Sequence, residues 1–327
     1  MLLGLRLVAR RPILVSFEQK GTLTSRMSTT TAPQPRPFRL ALIQMGGITT
    51  DKAKNLAHAK DLILKASKPE AGEKPGIVVL PECFNSPYGH VHFPNYAEKI
   101  GFMGRDAYDV AKSESESVQM LSAAAKEAGI WLIGGSIPER AEDGHLYNTS
   151  TIYSPSGDLV AIHRKVHLFD IDIPGKITFK ESTTLTGGSQ LTHVDTDYGR
   201  VGIGICYDVR FPEMAMIAAR NGCIAMVYPG AFNLTTGPLH WELLQRARAV
   251  DNLIYVSMCS PARDMTAEYH AWGHSTIVDP MGAVIATTGH EEAILYADID
   301  PNRITEARAG IPVTIQRRFD VYPDVSA

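Results

Sequence analysis

No apolar run in this chain is longer than a β-strand, and the runs alternate with segments that carry helix punctuation. Phe38–Gln44 (FRLALIQ) reads as a strand and stops at Gly46-Gly47. Residues 51–67 space Ala53, Leu56, Ala57, Leu62 and Leu64 as an amphipathic helix does, with lysines on the other side. Residues 76–80 (GIVVL) form a β-branched strand that ends at Pro81-Glu82. Residues 83–104, rich in Asn, Pro, Gly and His, read as a loop over that strand end. Residues 113–129 read as a helix closed by Gly129, and residues 130–137 as the next strand. At 327 residues such an α/β chain makes one large domain or two smaller ones.

The second half carries a more unusual stretch, Gly202-Ile203-Gly204-Ile205-Cys206-Tyr207-Asp208-Val209-Arg210-Phe211-Pro212-Glu213. It reads as an apolar strand from Val201, a sharp stop bearing a thiol, and a helix opening on Pro212. Proline is preorganised for the first helical position, and Glu213 suits the positive end of the helix dipole. That helix ends at Asn221-Gly222, and a strand over residues 224–228 follows. A thiol on a strand tip facing a helix N-terminus sits where a thiolate is favoured. A cysteine in an apolar run is equally a buried core residue, and this segment alone does not separate the two.

Two hairpins mark the ends of the two halves. Ser150-Thr151-Ile152-Tyr153-Ser154-Pro155-Ser156-Gly157 leads to Leu159-Val160-Ala161, and Ser275-Thr276-Ile277-Val278-Asp279-Pro280-Met281-Gly282 leads to Ala283-Val284-Ile285-Ala286. Each is a strand, a Pro-x-Gly turn and a returning strand. They suggest a pseudo-symmetric pair of sheets packed face to face with helices outside. Gly237–Asn252 is a helix with Pro238 at its start, residues 253–259 a strand, and residues 294–299 a last strand. From Arg303 on there is one short helical stretch and an end, Arg317 to Tyr322, that looks like a contact arm.

A net charge of −3 and no basic stripe argue against a nucleic-acid surface, and strand-length apolar runs argue against a membrane span. Cys83, Cys206, Cys223 and Cys259 form no C-x-x-C pair, which disfavours a disulfide framework or a zinc site. The first 38 residues carry a net +5, so the rest of the chain carries −8. This Arg-rich, acid-poor segment (residues 1–37) resembles a mitochondrial presequence, with a plain disordered tail as the alternative. Met27 is a possible second start that would give a cytosolic form.

Three apolar strands end on reactive side chains: Glu82, Lys165 after LVAIHR, and Cys206. Functional groups cluster at the carboxyl ends of strands, so the three can meet. Glu82 suits a general base on the thiol and an acid toward a leaving amine. Lys165 suits lowering the thiol pKa and holding a tetrahedral oxyanion, aided by the Tyr207 backbone N–H. Each charged residue taken alone is more often a solvated strand boundary; the conjunction carries the reading. Competing patterns are poorer. His163 and His167 lie in an extended segment and share a face without forming a helical metal site. No histidine is singled out as a protease partner for Cys206. Gly202-x-Gly204 lacks the third glycine of a dinucleotide fingerprint.

Leu80-Pro81-Glu82-Cys83-Phe84-Asn85-Ser86-Pro87-Tyr88, His163-Arg164-Lys165-Val166-His167-Leu168-Phe169-Asp170 and the stretch around Cys206 resemble, in order and spacing, the three signature motifs of the nitrilase (carbon–nitrogen hydrolase) superfamily. Residues 228–242, from Tyr228-Pro229-Gly230 to His240-Trp241-Glu242, look most like its omega-amidase branch. The resemblance runs from about Phe38 to Tyr322. It implies an α-β-β-α sandwich that dimerises, over residues 38–302, with residues 303–327 as a C-terminal arm. It implies Glu82 as general base, Lys165 as oxyanion-stabilising group, Cys206 as nucleophile, and Glu181 as the residue that orients Lys165 and the substrate. It implies a hydrolase for the terminal amide of 2-oxoglutaramate and 2-oxosuccinamate, needing no metal or organic cofactor. Arg210 is a candidate partner for the far carboxylate, or else a structural ion-pair residue. Alternatives are an amidase for deaminated glutathione or another small amide, and a catalytically silent scaffold protein.

Overall fold

The computed structural model describes residues 31–104 and 108–322. Most of the expected presequence (residues 1–30) and Met27 lie outside the described residues. The first half comprises β1 (Phe38–Gln44), α1 (Lys52–Ala66), β2 (Ile77–Val79), α2 (Phe93–Tyr96), α3 (Glu116–Ala128), β3 (Trp131–Ile133), β4 (Ile137–Arg140), β5 (Leu146–Tyr153) and β6 (Leu159–Arg164). A small hairpin, β7 (Asp170–Ile173) and β8 (Ile177–Lys180), follows. The second half holds β9 (Thr192–Thr196), β10 (Gly199–Ile203), α4 (Pro212–Arg220), β11 (Cys223–Pro229), α5 (Gly237–Asn252), β12 (Tyr255–Cys259), β13 (Thr276–Val278) and β14 (Val284–Thr287). The chain then returns to the first sheet as β15 (Ala293–Ile299) and ends with α6 (Asn302–Gly310) and α7 (Val313–Gln316).

Local chemistry sets the helix boundaries. The Asp51 carboxylate accepts from the Lys54 N–H at the start of α1, and the Ser115 hydroxyl accepts from the Val118 N–H at the start of α3. Gly129 closes α3 at φ 60°, a left-handed conformation that glycine adopts without cost. Pro212 opens α4 as the sequence predicts.

The two sheets match strand for strand. One runs β15-β1-β2-β3-β5, with β6 also on β5, and the other runs β9-β10-β11-β12-β13-β14. In each, three parallel strands (β1-β2-β3 and β10-β11-β12) are flanked by antiparallel neighbours. The two expected hairpins, β5–β6 and β13–β14, occupy equivalent places. The extra strand β4 pairs with β5.

Alternation along the strands builds four layers. Leu40, Leu42, Ile77 and Val79 of the first sheet meet Val201, Ile203, Ala225 and Val227 of the second in one buried cluster. The opposite faces, Ala41, Ile43 and Val78, pack under Leu56 and Ile63 of α1 and Val118 and Leu121 of α3. Met226, Tyr228 and Val256 pack under Met214 and Ala218 of α4 and Trp241 of α5. Strands buried on both faces read as continuous apolar runs, which is why the sequence shows runs here and not alternation. The fold is therefore an α-β-β-α sandwich.

Two expectations need correction. Residues 130–137 are not one strand: β3 and β4 are separated at Gly134-Gly135. Gly135 sits at φ 62°, where a Cβ would come within 2.1 Å of the Pro81 carbonyl oxygen. The Ser136 N–H donates to that oxygen at 3.3 Å, and the Ser136 hydroxyl accepts from the Cys83 N–H at 3.1 Å. The break thus brackets Glu82. The C-terminal segment holds two helices, α6 and α7, in place of one short stretch. Ile304 of α6 belongs to the core between the sheets, whereas Ile315, Phe319 and Tyr322 are exposed.

The loop expected over the end of β2 is pinned by a buried carboxylate. Glu98 accepts from the Asn85 side chain at 3.0 Å, from the Ser115 and Ser117 hydroxyls at 2.6 Å each, and from the Ser117 N–H. This ties the segment after Glu82 to the start of α3.

Candidate active site

The ends of β2, β6 and β10 bring Glu82, Lys165 and Cys206 together, and the segment after β8 adds Glu181. All four side chains are buried. Lys165 Nζ donates to Glu82 Oε1 at 3.0 Å and to Glu181 Oε1 at 2.9 Å. Glu181 Oε2 accepts from the Phe169 N–H at 2.7 Å, which fixes its carboxylate plane. Glu82 Oε1 also accepts from the Asn148 amide of β5 at 2.8 Å. The second oxygen, Glu82 Oε2, is buried with no hydrogen-bond partner among the described residues. It is the oxygen left to take a proton.

The charges set the protonation states. Burial would lower the Lys165 ammonium, but Glu181 and Glu82 outweigh it and hold its pKa well above the ordinary value. Burial raises the Glu82 pKa, Lys165 opposes that shift, and the Glu181 charge adds to it. Burial also pushes the Cys206 thiol well up, reinforced by Glu82 and opposed by Lys165 and by the Ala231 N–H at 3.4 Å from Sγ. The resting nucleophile is a thiol beside a carboxylate. A proton transfer must therefore accompany attack, and Glu82 is placed to receive it.

Cys206 opens a 3-10 turn (Cys206–Arg210) and takes a left-handed backbone, φ 46°. The first internal bond of this turn runs from the Asp208 N–H to Ile205 O at 3.0 Å. The Tyr207 N–H thus lies outside the turn's own ladder, next to the nucleophile. Arg210 forms no ion pair with a carboxylate among the described residues. Its guanidinium lies 5.3 Å from the Tyr207 ring centre and 4.9 Å from that of Phe232, with Nη1 3.2 Å from His240 Nδ1. Its Nε is buried without a partner among the described residues, and burial lowers its pKa. The ion-pair alternative for Arg210 has no support in this geometry.

Asp208 was not singled out in the sequence. Its buried carboxylate accepts from the Ile205 N–H (2.9 Å), the His167 N–H (2.9 Å), His167 Nδ1 (2.8 Å) and His163 Nε2 (3.1 Å). Burial alone would raise its pKa, but the bonds from His163, His167 and Ile205 dominate and hold it far below the usual carboxylate range. His163, Lys165 and His167 alternate across the end of β6 and the bend that follows it. That alternation is the signal that would have found Asp208: the histidines on either side of Lys165 grip the turn of Cys206. His167 also stacks on Phe211, ring centres 3.6 Å apart.

Comparison with known proteins decides the family. The Carbon-nitrogen hydrolase family matches residues 39–309. The chain belongs to this family. It is 56% identical to human Omega-amidase NIT2 over 285 residues, 87% of this chain and 96% of the relative. It is also 56% identical to Hydrolase C26A3.11 of Schizosaccharomyces pombe over 290 residues, 89% of this chain and 85% of the relative. Among solved structures, Saccharomyces cerevisiae Nit3, a member of branch 10 of the nitrilase superfamily, superposes with a TM-score of 0.78 at 48% identity. That match covers 86% of this chain and 97% of Nit3. Within a carbon–nitrogen hydrolase, the Asp208 grip has a measurable weight. Asp208→Asn turns one acceptor oxygen into a donor facing N–H groups. Urea titration at neutral pH should show a stability loss of about 2 kcal/mol.

Proposed function

We propose that this protein is an omega-amidase that hydrolyses the terminal amide of small dicarboxylic monoamides, 2-oxoglutaramate and 2-oxosuccinamate, releasing ammonia. The observation that carries the reading is the buried Lys165 held between two carboxylates beside a buried thiol, in a chain 56% identical to an omega-amidase.

In this reading Cys206 Sγ attacks the amide carbon while its proton passes to Glu82 Oε2. The new S–C bond pushes the carbonyl pair onto oxygen, which Lys165 Nζ and the Tyr207 N–H stabilise. Collapse breaks the C–N bond, and Glu82 returns its proton to the departing nitrogen, freeing ammonia. Water then attacks the thioester as Glu82 takes one of its protons. The second tetrahedral adduct expels the sulfur, which recovers its proton from Glu82, and the dicarboxylate leaves. Glu181 keeps Lys165 charged and aimed. The substrate's far carboxylate goes to Arg210, whose lack of an internal acid and buried Nε support an incoming anion as its partner.

The chain works as a homodimer. Leu239, Leu243 and Val250 lie within about 40° of one another around α5 and are all exposed, an apolar stripe suited to a second copy.

Four measurements test this. Cys206→Ala should lose ammonia release from 2-oxoglutaramate by about 10³-fold or more, in steady-state assays. In the same assays the parent enzyme needs Glu82 ionised, so its kcat/KM should fall on the acid side at a pH above the 4.5 of a free glutamate, since the Glu82 pKa is raised. Arg210→Met should raise KM for 2-oxoglutaramate about 10- to 100-fold with kcat largely kept, the loss of one charge-assisted contact. Leu243→Glu should sediment as a monomer where the parent chain sediments as a dimer.

A further inference from the structure

Two tyrosine rings lie against each other near the thiol, and among the described residues only one of their hydroxyls has a partner. The ring centres of Tyr88 and Tyr269 are 4.2 Å apart. The Tyr269 hydroxyl donates to the Ala231 carbonyl, and the Ala231 N–H donates to Cys206 Sγ. One residue, Ala231, thus links the nucleophile to Tyr269, and Tyr269 packs against Tyr88. Phe179 of β8, the strand that leads into Glu181, packs against both rings, its centre 6.3 Å from that of Tyr88 and 6.1 Å from that of Tyr269. Tyr88 lines a cavity of about 420 Å³ together with Glu82, Cys83 and Tyr269. That volume suits a small ligand.

The Tyr88 hydroxyl is buried and has no hydrogen-bond partner among the described residues. Leaving such a group unpaired is unfavourable, and phenylalanine would fill the same space without that cost. Nothing among the described residues offsets it, which points to a partner that arrives with the ligand. The phenol reaches that ligand as a donor: burial, together with the nearby Glu82, pushes its pKa well up and keeps it protonated. In the proposed reaction the oxygen of the scissile carbonyl already has Lys165 and the Tyr207 N–H. The acceptor for Tyr88 is then elsewhere on the substrate.

We propose that Tyr88 is a substrate-binding and specificity-determining residue, whose hydroxyl donates to an acceptor oxygen on the carbon skeleton of the bound amide, away from the reacting carbonyl. This rests on the amidase reading above. It makes the cavity select amides that carry a further oxo or carboxylate oxygen over plain alkyl amides, because an alkyl chain leaves the phenol unpaired.

Tyr88→Phe removes one oxygen and tests this directly. For 2-oxoglutaramate the variant should show KM raised about ten-fold, the equivalent of one hydrogen bond, with kcat within about two-fold. For butyramide, which has no second oxygen, kcat/KM should be unchanged, and Tm should be equal or higher because the lost hydroxyl had no internal partner. An unchanged KM for 2-oxoglutaramate overturns the proposal. So does an equal loss on both amides, or a Tm lower by several degrees, either of which marks a structural role. A parent enzyme that hydrolyses butyramide but not 2-oxoglutaramate overturns the substrate reading instead, and this proposal with it.

Discussion

A fully buried ammonium group needs anions held in place by the fold, and Lys165 has two. Taking such a charge out of water costs several kcal/mol, which only close, well-aligned partners repay. Glu82 and Glu181 supply them at 3.0 and 2.9 Å. Burial raises Glu82 first, Lys165 opposes the shift, and the second acid, Glu181, adds to it. The feature that makes the lysine tolerable thus also makes one of its partners a base. Glu181 is fixed by the Phe169 N–H and Glu82 by Asn148, so neither carboxylate can swing away.

The nucleophile is held by a second buried charge. A non-glycine residue at φ 46° is strained by about 1–2 kcal/mol. Four bonds to Asp208 span Ile205, just before the strained residue, and both histidines flanking Lys165. The carboxylate therefore ties the strained turn to the segment that carries the ammonium. Sulfur and nitrogen keep their separation because one anion grips both backbones.

Much of this was legible in the sequence. Strands buried on both faces leave long apolar runs, so β1, β2 and β10 and the reactive residues after them stand out. Gly129 at the close of α3 and Pro212 at the start of α4 marked those helix ends in the sequence. The two Pro-x-Gly hairpins pointed to paired sheets, and β5–β6 and β13–β14 take equivalent places in them. What escaped depends on long-range partners. Asp208 gains its meaning from histidines 41 and 45 residues away, and Tyr88 from a ring at Tyr269. The break at Gly134-Gly135 has no signal in the sequence because its cause, the Pro81 carbonyl, lies just past β2, some fifty residues earlier in the chain. Whether Arg210 has an internal acid is likewise a question of three-dimensional neighbours.

The match between the two sheets has a consequence for when the chain becomes reactive. Glu82 and Lys165 follow strands of one sheet, and Cys206 follows a strand of the other. Neither half holds a working set by itself. A growing chain has its base and its ammonium roughly forty residues before its thiol, and the three meet only when the sheets close face to face. Until then the thiol has no carboxylate to receive its proton, so chemical competence requires the two sheets to have joined.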